Sequence, residues 1–420
     1  MVIGKHASPP FQAVLVTALL LACGSLGVGV GCSKARGRAE GPCIRDRDCA
    51  RGRHCVDARC ATEAELAALR SGREPRLEAS ATPLQYQGSA SRDGRSPFAG
   101  PITEPSERWV HRTGARIVAA PIVRPDGRVL VASTDGVLVE LDASGRERRR
   151  FTLDAPIHAT PAIDRDGTVW LASRDGTLVA LGPDFRARVR AHVDGPVDGA
   201  LLVDEEGSVY VPGRGLFVFD LAGRPRYTVT RAVPLRGCAS LHPDGHVLFA
   251  TPEGTLVAWT RGGEIAWETA VEAGVDGCPA IGTDGTVAVG NDLGHVLVLD
   301  SHGMIRAEVE TQGDVRATPA LSPDGTIVVG SHDGIVRGIS PTGEIRFTHE
   351  TRGAVHGPAC LDRDGRIYVG SRDDGLHALD ARGQPLFFHS IGADVDVAPA
   401  LGPDGTLYVA AEDGALHALR

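Results

Sequence analysis

Eight residues at one period hold the side chains best suited to chemistry: Val118, His158, Asp198, Arg236, Asp276, Arg316, His356 and Asp396. Each stands nine residues before a glycine of a recurring phrase. Asp198, Arg236, Asp276 and Arg316 follow one another with alternating sign. Brought to one height, such charges form either a ring of ion pairs or a mouth that grips a small polar ligand. His158, His356 and an aspartate are metal-ligand types. Three repeats separate the two histidines by the shorter route, so no metal site is expected. Two residues further on stand Ala120, Thr160, Ala200, Cys238, Cys278, Thr318, Pro358 and Ala398, all small, as a narrow channel wall requires. Cys238 and Cys278 share this tier in neighbouring repeats. Their strands are expected to splay, so two buried thiols are favoured over a bridge, which needs Cα atoms within about 4.4–6.8 Å.

Other motifs carry less. The repeated Asp-x-Asp-Gly, as in Asp164–Gly167 and Asp362–Gly365, invites a calcium reading. The twelve-residue loop ending in glutamate that an EF-hand needs is missing, so hairpin chemistry explains these residues. No G-x-S-x-G elbow or H-E-x-x-H pair occurs. Cys360 falls on a core position and reads as a buried thiol rather than a nucleophile. No catalytic residue is assigned, and no cofactor is expected.

The elements that position the ring follow from the pivot glycines Gly127, Gly167, Gly207, Gly245, Gly285, Gly325, Gly365 and Gly405. Every step is 40 residues except one of 38, between Gly207 and Gly245. A period of this length, with short β-rich runs and turn glycines, marks an all-β propeller with one four-stranded antiparallel blade per repeat. In the second repeat, Ile157–Ile163, Thr168–Ser173, Thr177–Leu181 and Arg186–His192 are the four strands, innermost first. The last repeat stops at Arg420, after its third strand, 415–419. Trp109, nine residues before Val118, fits the outer-strand slot that Tyr227, Trp267, Phe347 and Phe387 fill elsewhere. Residues 107–113 should therefore supply the missing strand and close an eight-bladed ring, removing an exposed sheet edge.

The phrases Thr160-Pro161-Ala162-Ile163-x-x-Asp166-Gly167-Thr168-Val169 and Asp404-Gly405-Thr406-Leu407-Tyr408-Val409 resemble PQQ-like propeller repeats. The lead-in Gln87-Gly88-x-x-x-x-Asp93-Gly94-Arg95-Ser96 is similar to that of the same family. The family includes quinoprotein alcohol dehydrogenases and the propeller lipoprotein of the outer-membrane β-barrel assembly machinery. The resemblance spans roughly residues 85–420. Quinoprotein dehydrogenases carry an adjacent cysteine pair beside the quinone, and no two cysteines are adjacent here. The tryptophans common in their outer strands are reduced to Trp109 and Trp267.

The chain has 420 residues, a net charge of −9 and a pI near 5.9. That balance excludes the basic field of a nucleic-acid binder. Residues 1–22 read as an export signal, whose apolar run Phe11–Ala22 is short for a membrane span. Leu20-Leu21-Ala22-Cys23 has the form of a lipobox, with Cys23 the lipidated residue and Cys32 a poorer second candidate. If the chain follows enterobacterial lipoproteins, Gly24 after Cys23 implies retention at the outer membrane. Residues 23–42 form a tether. Cys43, Cys49, Cys55 and Cys60 lie in an exported segment and predict two disulfides of open connectivity. Residues 61–84 read as a short helix, capped by Thr62 and Glu65, followed by a linker.

These readings converge on an exported, lipid-anchored propeller of the cell envelope that binds or scaffolds protein partners without catalysis. It is expected to be a monomer, with no nucleic-acid partner. The alternatives are a quinone- and calcium-dependent oxidoreductase on the propeller axis, and a surface sensor or adhesion protein.

Overall fold

The structure, a computed structural model, describes residues 83–420 and the backbone of two short strands, Arg53–Val56 and Arg59–Thr62. The chain divides into two compact units, 1–74 and 75–420. In the first, the two short strands form an antiparallel hairpin whose register sets Cys55 opposite Cys60. Cys23, Cys32, Cys43, Cys49, the export signal and the expected helix after Thr62 lie outside the described residues.

The second unit is eight four-stranded antiparallel sheets. Each pivot glycine takes a positive φ, as Gly167 does at 80°, which an L side chain rarely adopts. Asp164 shows why the preceding aspartate recurs: its Oδ1 accepts the backbone N–H of Asp166 at 3.0 Å and of Thr168 at 2.9 Å. These bonds hold the turn closed, and no ion is needed to explain the motif. The 38-residue step is also resolved. In blade 3 the strands Ser208–Gly213 and Gly215–Asp220 are joined through Arg214 alone, where the other blades spend longer turns.

Closure follows the expected route. Glu107–Arg112 pairs with Ala415–Leu419, setting Trp109 opposite Ala418. The indole of Trp109 covers Gly145 of blade 1, and its Nε1 donates to the Ala143 carbonyl at 3.0 Å. Trp267 covers Gly303, and Phe347 covers Gly383, in the same manner. An aromatic on each of these outer strands thus packs on a side-chain-free turn of the next blade. Between blades lie clusters of Val, Leu, Ile and Ala from the middle strands, most with no exposed surface. The innermost strands are shorter than expected. In blade 2 only Ala162–Ile163 pairs with its neighbour. Residues 157–161 run on toward the axis without a strand partner.

Candidate functional site

The eight first-tier residues do converge. All of them line one axial cavity of about 220 Å³, at the end of the channel where the inner segments begin. Thr160 and Thr318 of the second tier tie blades together: Thr160 Oγ1 accepts the N–H of Ala120 at 3.0 Å, and Thr318 Oγ1 that of Cys278 at 2.9 Å.

The pairing of charges differs in part from the expected alternation. Arg236 bonds Asp276 at 3.1 Å, and Arg316 reaches the same carboxylate at 3.7 Å. Asp198 does not turn to Arg236. It takes His158 at 3.2 Å and Arg174 at 2.7 Å. Arg174 belongs to a second collar, seven residues after each pivot glycine, that the sequence reading passed over. This collar also holds Asp292, His332, Arg372 and Glu412. Its backbone is fixed periodically, with Arg174 N–H on the Pro156 carbonyl and Arg372 N–H on that of Ala354. The side chains then meet ring residues 24 positions later: Arg174 with Asp198, His332 with His356, and Arg372 with Asp396. The signal was available as a second periodic set of charged residues.

The electrostatics follow from this double collar. Burial pushes the Asp198 carboxyl up, but hydrogen bonds from His158 and Arg174 outweigh it and hold it below the usual range. Asp292 is raised, first by burial and then by the neighbouring Asp276, despite Arg316 and Arg236 nearby. His332 and His356 are both lowered, chiefly by burial. Their rings bond at 3.0 Å, Nε2 to Nδ1. His158 and His356 each have a partner of their own and share no common centre. The mouth is a neutralised, mixed-charge funnel, suited to structural pairing or to a small zwitterion.

Cys238 and Cys278 correct an expectation. They form a disulfide between blades 4 and 5, with Cα atoms 4.9 Å apart. The strands do not splay there because each cysteine follows a glycine. A Cβ on Gly237 would lie 2.4 Å from the Gly277 carbonyl oxygen, and one on Gly199 would lie 2.1 Å from that of Gly237. Bare backbones let consecutive blades approach to bridging range. Cys360 is a buried thiol, pushed up to about 12 by burial, which suits a core residue. Among the described residues, Glu272, His295 and Glu308 bring potential ligand atoms within 4.8 Å of one another, away from the axial ring. Both glutamates are exposed, and such groups are common without an ion.

The lead-in performs a task its sequence did not reveal. It crosses the opposite end of the channel, and Tyr86 packs on Ala200, Cys238 and Cys278. The Tyr86 hydroxyl lies 3.4 Å from Thr318 Oγ1. Arg92 is fully buried and gives its guanidinium protons to the carbonyls of Tyr86, Leu201 and Ala239.

A family model described as outer membrane protein assembly factor BamB matches residues 103–184 and 219–346. No curated protein matches the chain. Among solved structures, BamB from Moraxella catarrhalis superposes with a TM-score of 0.64 at 18% identity, over 75% of this chain and 99% of that one. A europium-containing methanol dehydrogenase gives 0.67 at 13% identity, over 79% and 90%. The computationally designed Ika8 protein gives 0.65 at 17% identity, over 76% and 99%. At these identities the likeness to solved structures is one of fold.

Proposed function

From the premise that the chain belongs to the PQQ-like propeller family of the outer membrane assembly factor BamB, we propose that it is a non-catalytic binding or scaffolding module of the bacterial envelope. Its anchor in this reading is the lipidated Cys23. One observation carries the proposal. Ile265, Ile305 and Ile345 open the outer strands of three consecutive blades, and they are 57%, 43% and 52% exposed. The other five blades place Glu107, Glu147, Ala187, Pro225 and Pro385 there. Large apolar side chains left exposed at the same position of three consecutive blades favour a protein partner.

The rival is a quinone-dependent oxidoreductase, favoured by the shared fold with methanol dehydrogenase. The residues fit a quinone poorly. Tyr86 stoppers the axis, the ring's arginines are engaged by its own carboxylates, and the cysteines are bridged across two blades rather than adjacent. The test is photo-crosslinking from position 304, where Met304 is exposed beside Ile305, in the native envelope, followed by mass spectrometry. A defined envelope protein should be captured by the wild-type surface and lost in Ile305→Asp/Ile345→Asp, with folding intact. Stoichiometric uptake of pyrroloquinoline quinone with Ca²⁺, seen by its bound absorbance, would overturn the proposal.

A further inference from the structure

The lead-in does more than stopper the axis, because it satisfies the inner strands one blade at a time. Four residues before each pivot glycine stands an inner-strand residue whose N–H points away from its own sheet. The neighbouring ladder bonds fix this. Asp164 N–H goes to the Thr168 carbonyl, so Ile163, one residue earlier, faces the other way. Six such N–H groups are taken by the lead-in. Ile163 donates to the Leu84 carbonyl at 2.7 Å, and Val203 to Gln85 Oε1 at 3.1 Å. Leu241 and Ile281 donate to the carbonyls of Ala90 and Ser91, at 2.8 and 2.9 Å. Leu321 and Leu361 donate to those of Asp93 and Gly94, both at 2.8 Å.

Blades 8 and 1 are left out. Gly402 N–H bonds the Thr406 carbonyl, and Arg124 N–H that of Arg128. The N–H groups of Leu401 and Val123 must therefore turn outward like the other six. Among the described residues neither has a partner. Both residues line a cavity of about 320 Å³ between the lead-in and these two inner strands. A second, independent donor lines the same space. Gln87 is 8% exposed, has a positive φ of 57°, and its Nε2 has no acceptor other than the neighbouring Tyr86 hydroxyl. Buried donors of this kind ordinarily find acceptors. The walls are apolar, with Phe98, Pro121, Ile122 and Pro399 among them. Arg95 is the lining's only charged residue, and Asp93 neutralises it at 2.7 Å.

We propose that this cavity is a peptide-binding site that receives a short, extended, uncharged segment of another protein, seated by two successive carbonyls on the N–H groups of Leu401 and Val123. The lead-in itself supplies the template. Ala90 and Ser91 are successive residues serving neighbouring blades 4 and 5, and Asp93 and Gly94 do the same for blades 6 and 7. A further pair of carbonyls completes the ring over blades 8 and 1. Three donors and no free charge select carbonyl acceptors over an anion. Recognition is by added main chain, as in strand addition to a sheet edge. This inference rests on the binding-module reading above but names a different surface, so the two fail separately.

The test is amide hydrogen exchange on the full chain, alone and with an array of N-acetylated, C-amidated tetrapeptides built from Ala, Val, Leu and Thr. In the free protein, the Val123 and Leu401 amides should exchange at least about tenfold faster than those of Ile163, Val203, Ile281 and Leu361. A binding peptide should slow the first two and leave the other four unchanged. Ala400→Phe, which fills the cavity, should abolish that protection. Gln87→Asn, which keeps a residue tolerant of positive φ and withdraws the amide, should weaken binding about tenfold. The proposal falls if no peptide protects the pair at millimolar concentration, or if the two amides already exchange as slowly as the rest. It falls equally if acetate protects them as well as a peptide does, or if protection grows with protein concentration alone, which would mark a second copy of this chain.

Discussion

Arg372 clasps Asp396 across the joint between blades 7 and 8, with Nε 3.0 Å from Oδ1 and Nη2 2.6 Å from Oδ2. The carboxylate is 11% exposed and the guanidinium 40%. The pair therefore sits between a surface bridge, worth about 0–1 kcal/mol, and a buried one, whose rupture costs about 3–5 kcal/mol. Arg372→Ala and Asp396→Ala should each lower stability by about 1–2 kcal/mol in urea titration. The double variant should lose less than the sum. Additive losses would show that the contact is incidental. Undiminished stability with lost binding of a small zwitterion would make the funnel a ligand site.

A second ion pair lies wholly inside blade 1. Glu140 and Arg124 are 2.9 Å apart, with side chains 0% and 3% exposed, and Arg128 approaches the same carboxylate at 3.2 Å. Equivalent positions in other blades hold Ala180, Ala258 or Gly338. Glu140→Gln keeps the shape and strands a buried guanidinium, so it should cost about 3–5 kcal/mol. Replacing Glu140 and Arg124 together with leucine should cost much less, read from the same urea midpoints. A double variant as damaged as Glu140→Gln would locate the effect in packing, not charge.

What the sequence made legible was whatever repeats. The pivot glycines are dictated by positive φ, and their spacing alone yielded eight blades and the ring that Asp198 and Arg316 share. The outer-strand slot was marked by aromatics, so residues 107–113 could be matched to the strand 415–419 at the far end of the chain, where Trp109 stands opposite Ala418. Departures from the repeat were less legible. The collar of Arg174, His332 and Arg372 is periodic but varies in residue type, which hides it. Glu140 reads as one polar residue in a strand until its arginines are in place. The lead-in's bonds run from Ala90 to Leu241 and from Gly94 to Leu361, separations that no local pattern encodes.

The Cys238–Cys278 bridge closes a loop of 40 residues. Constraint of the unfolded chain on that scale contributes about 4 kcal/mol, or about 5 °C in melting temperature for a domain of this size. Cys238→Ser/Cys278→Ser should melt lower by that amount, while Cys360→Ala should change little. Peptide mapping without reductant should recover the 238–278 cross-link. Two free thiols at those positions, in protein purified from an oxidising compartment, would refute it.

The same mapping bears on the N-terminal cysteines. Two disulfides are expected among Cys43, Cys49, Cys55 and Cys60, and Cys55 stands opposite Cys60 in the hairpin register. Reductant should expose four further thiols without unfolding the propeller, whose core lies in a separate compact unit. Four thiols already free before reduction, or one zinc per chain, would contradict this.

His332 and His356 give the protein a pH dependence with a definite sign. Their bond at 3.0 Å needs at least one neutral ring, and burial lowers both below the ordinary histidine value. Arg316 and Arg372 oppose a further positive charge there, while Asp314 and Asp396 favour one. In the unfolded chain both histidines titrate near 6.5. Below that pH the unfolded state binds more protons than the folded one, so stability falls. The loss begins near pH 6.5 and continues down to the depressed folded values. Above that range the pair contributes no slope. Melting temperatures from pH 7.5 to 5 should therefore decline in the wild type and decline less in His332→Gln. His111 and His349, also lowered by burial, should leave a residual slope. An unchanged slope in His332→Gln would mean that the axial pair takes up its proton without cost, and that the neighbouring carboxylates outweigh burial.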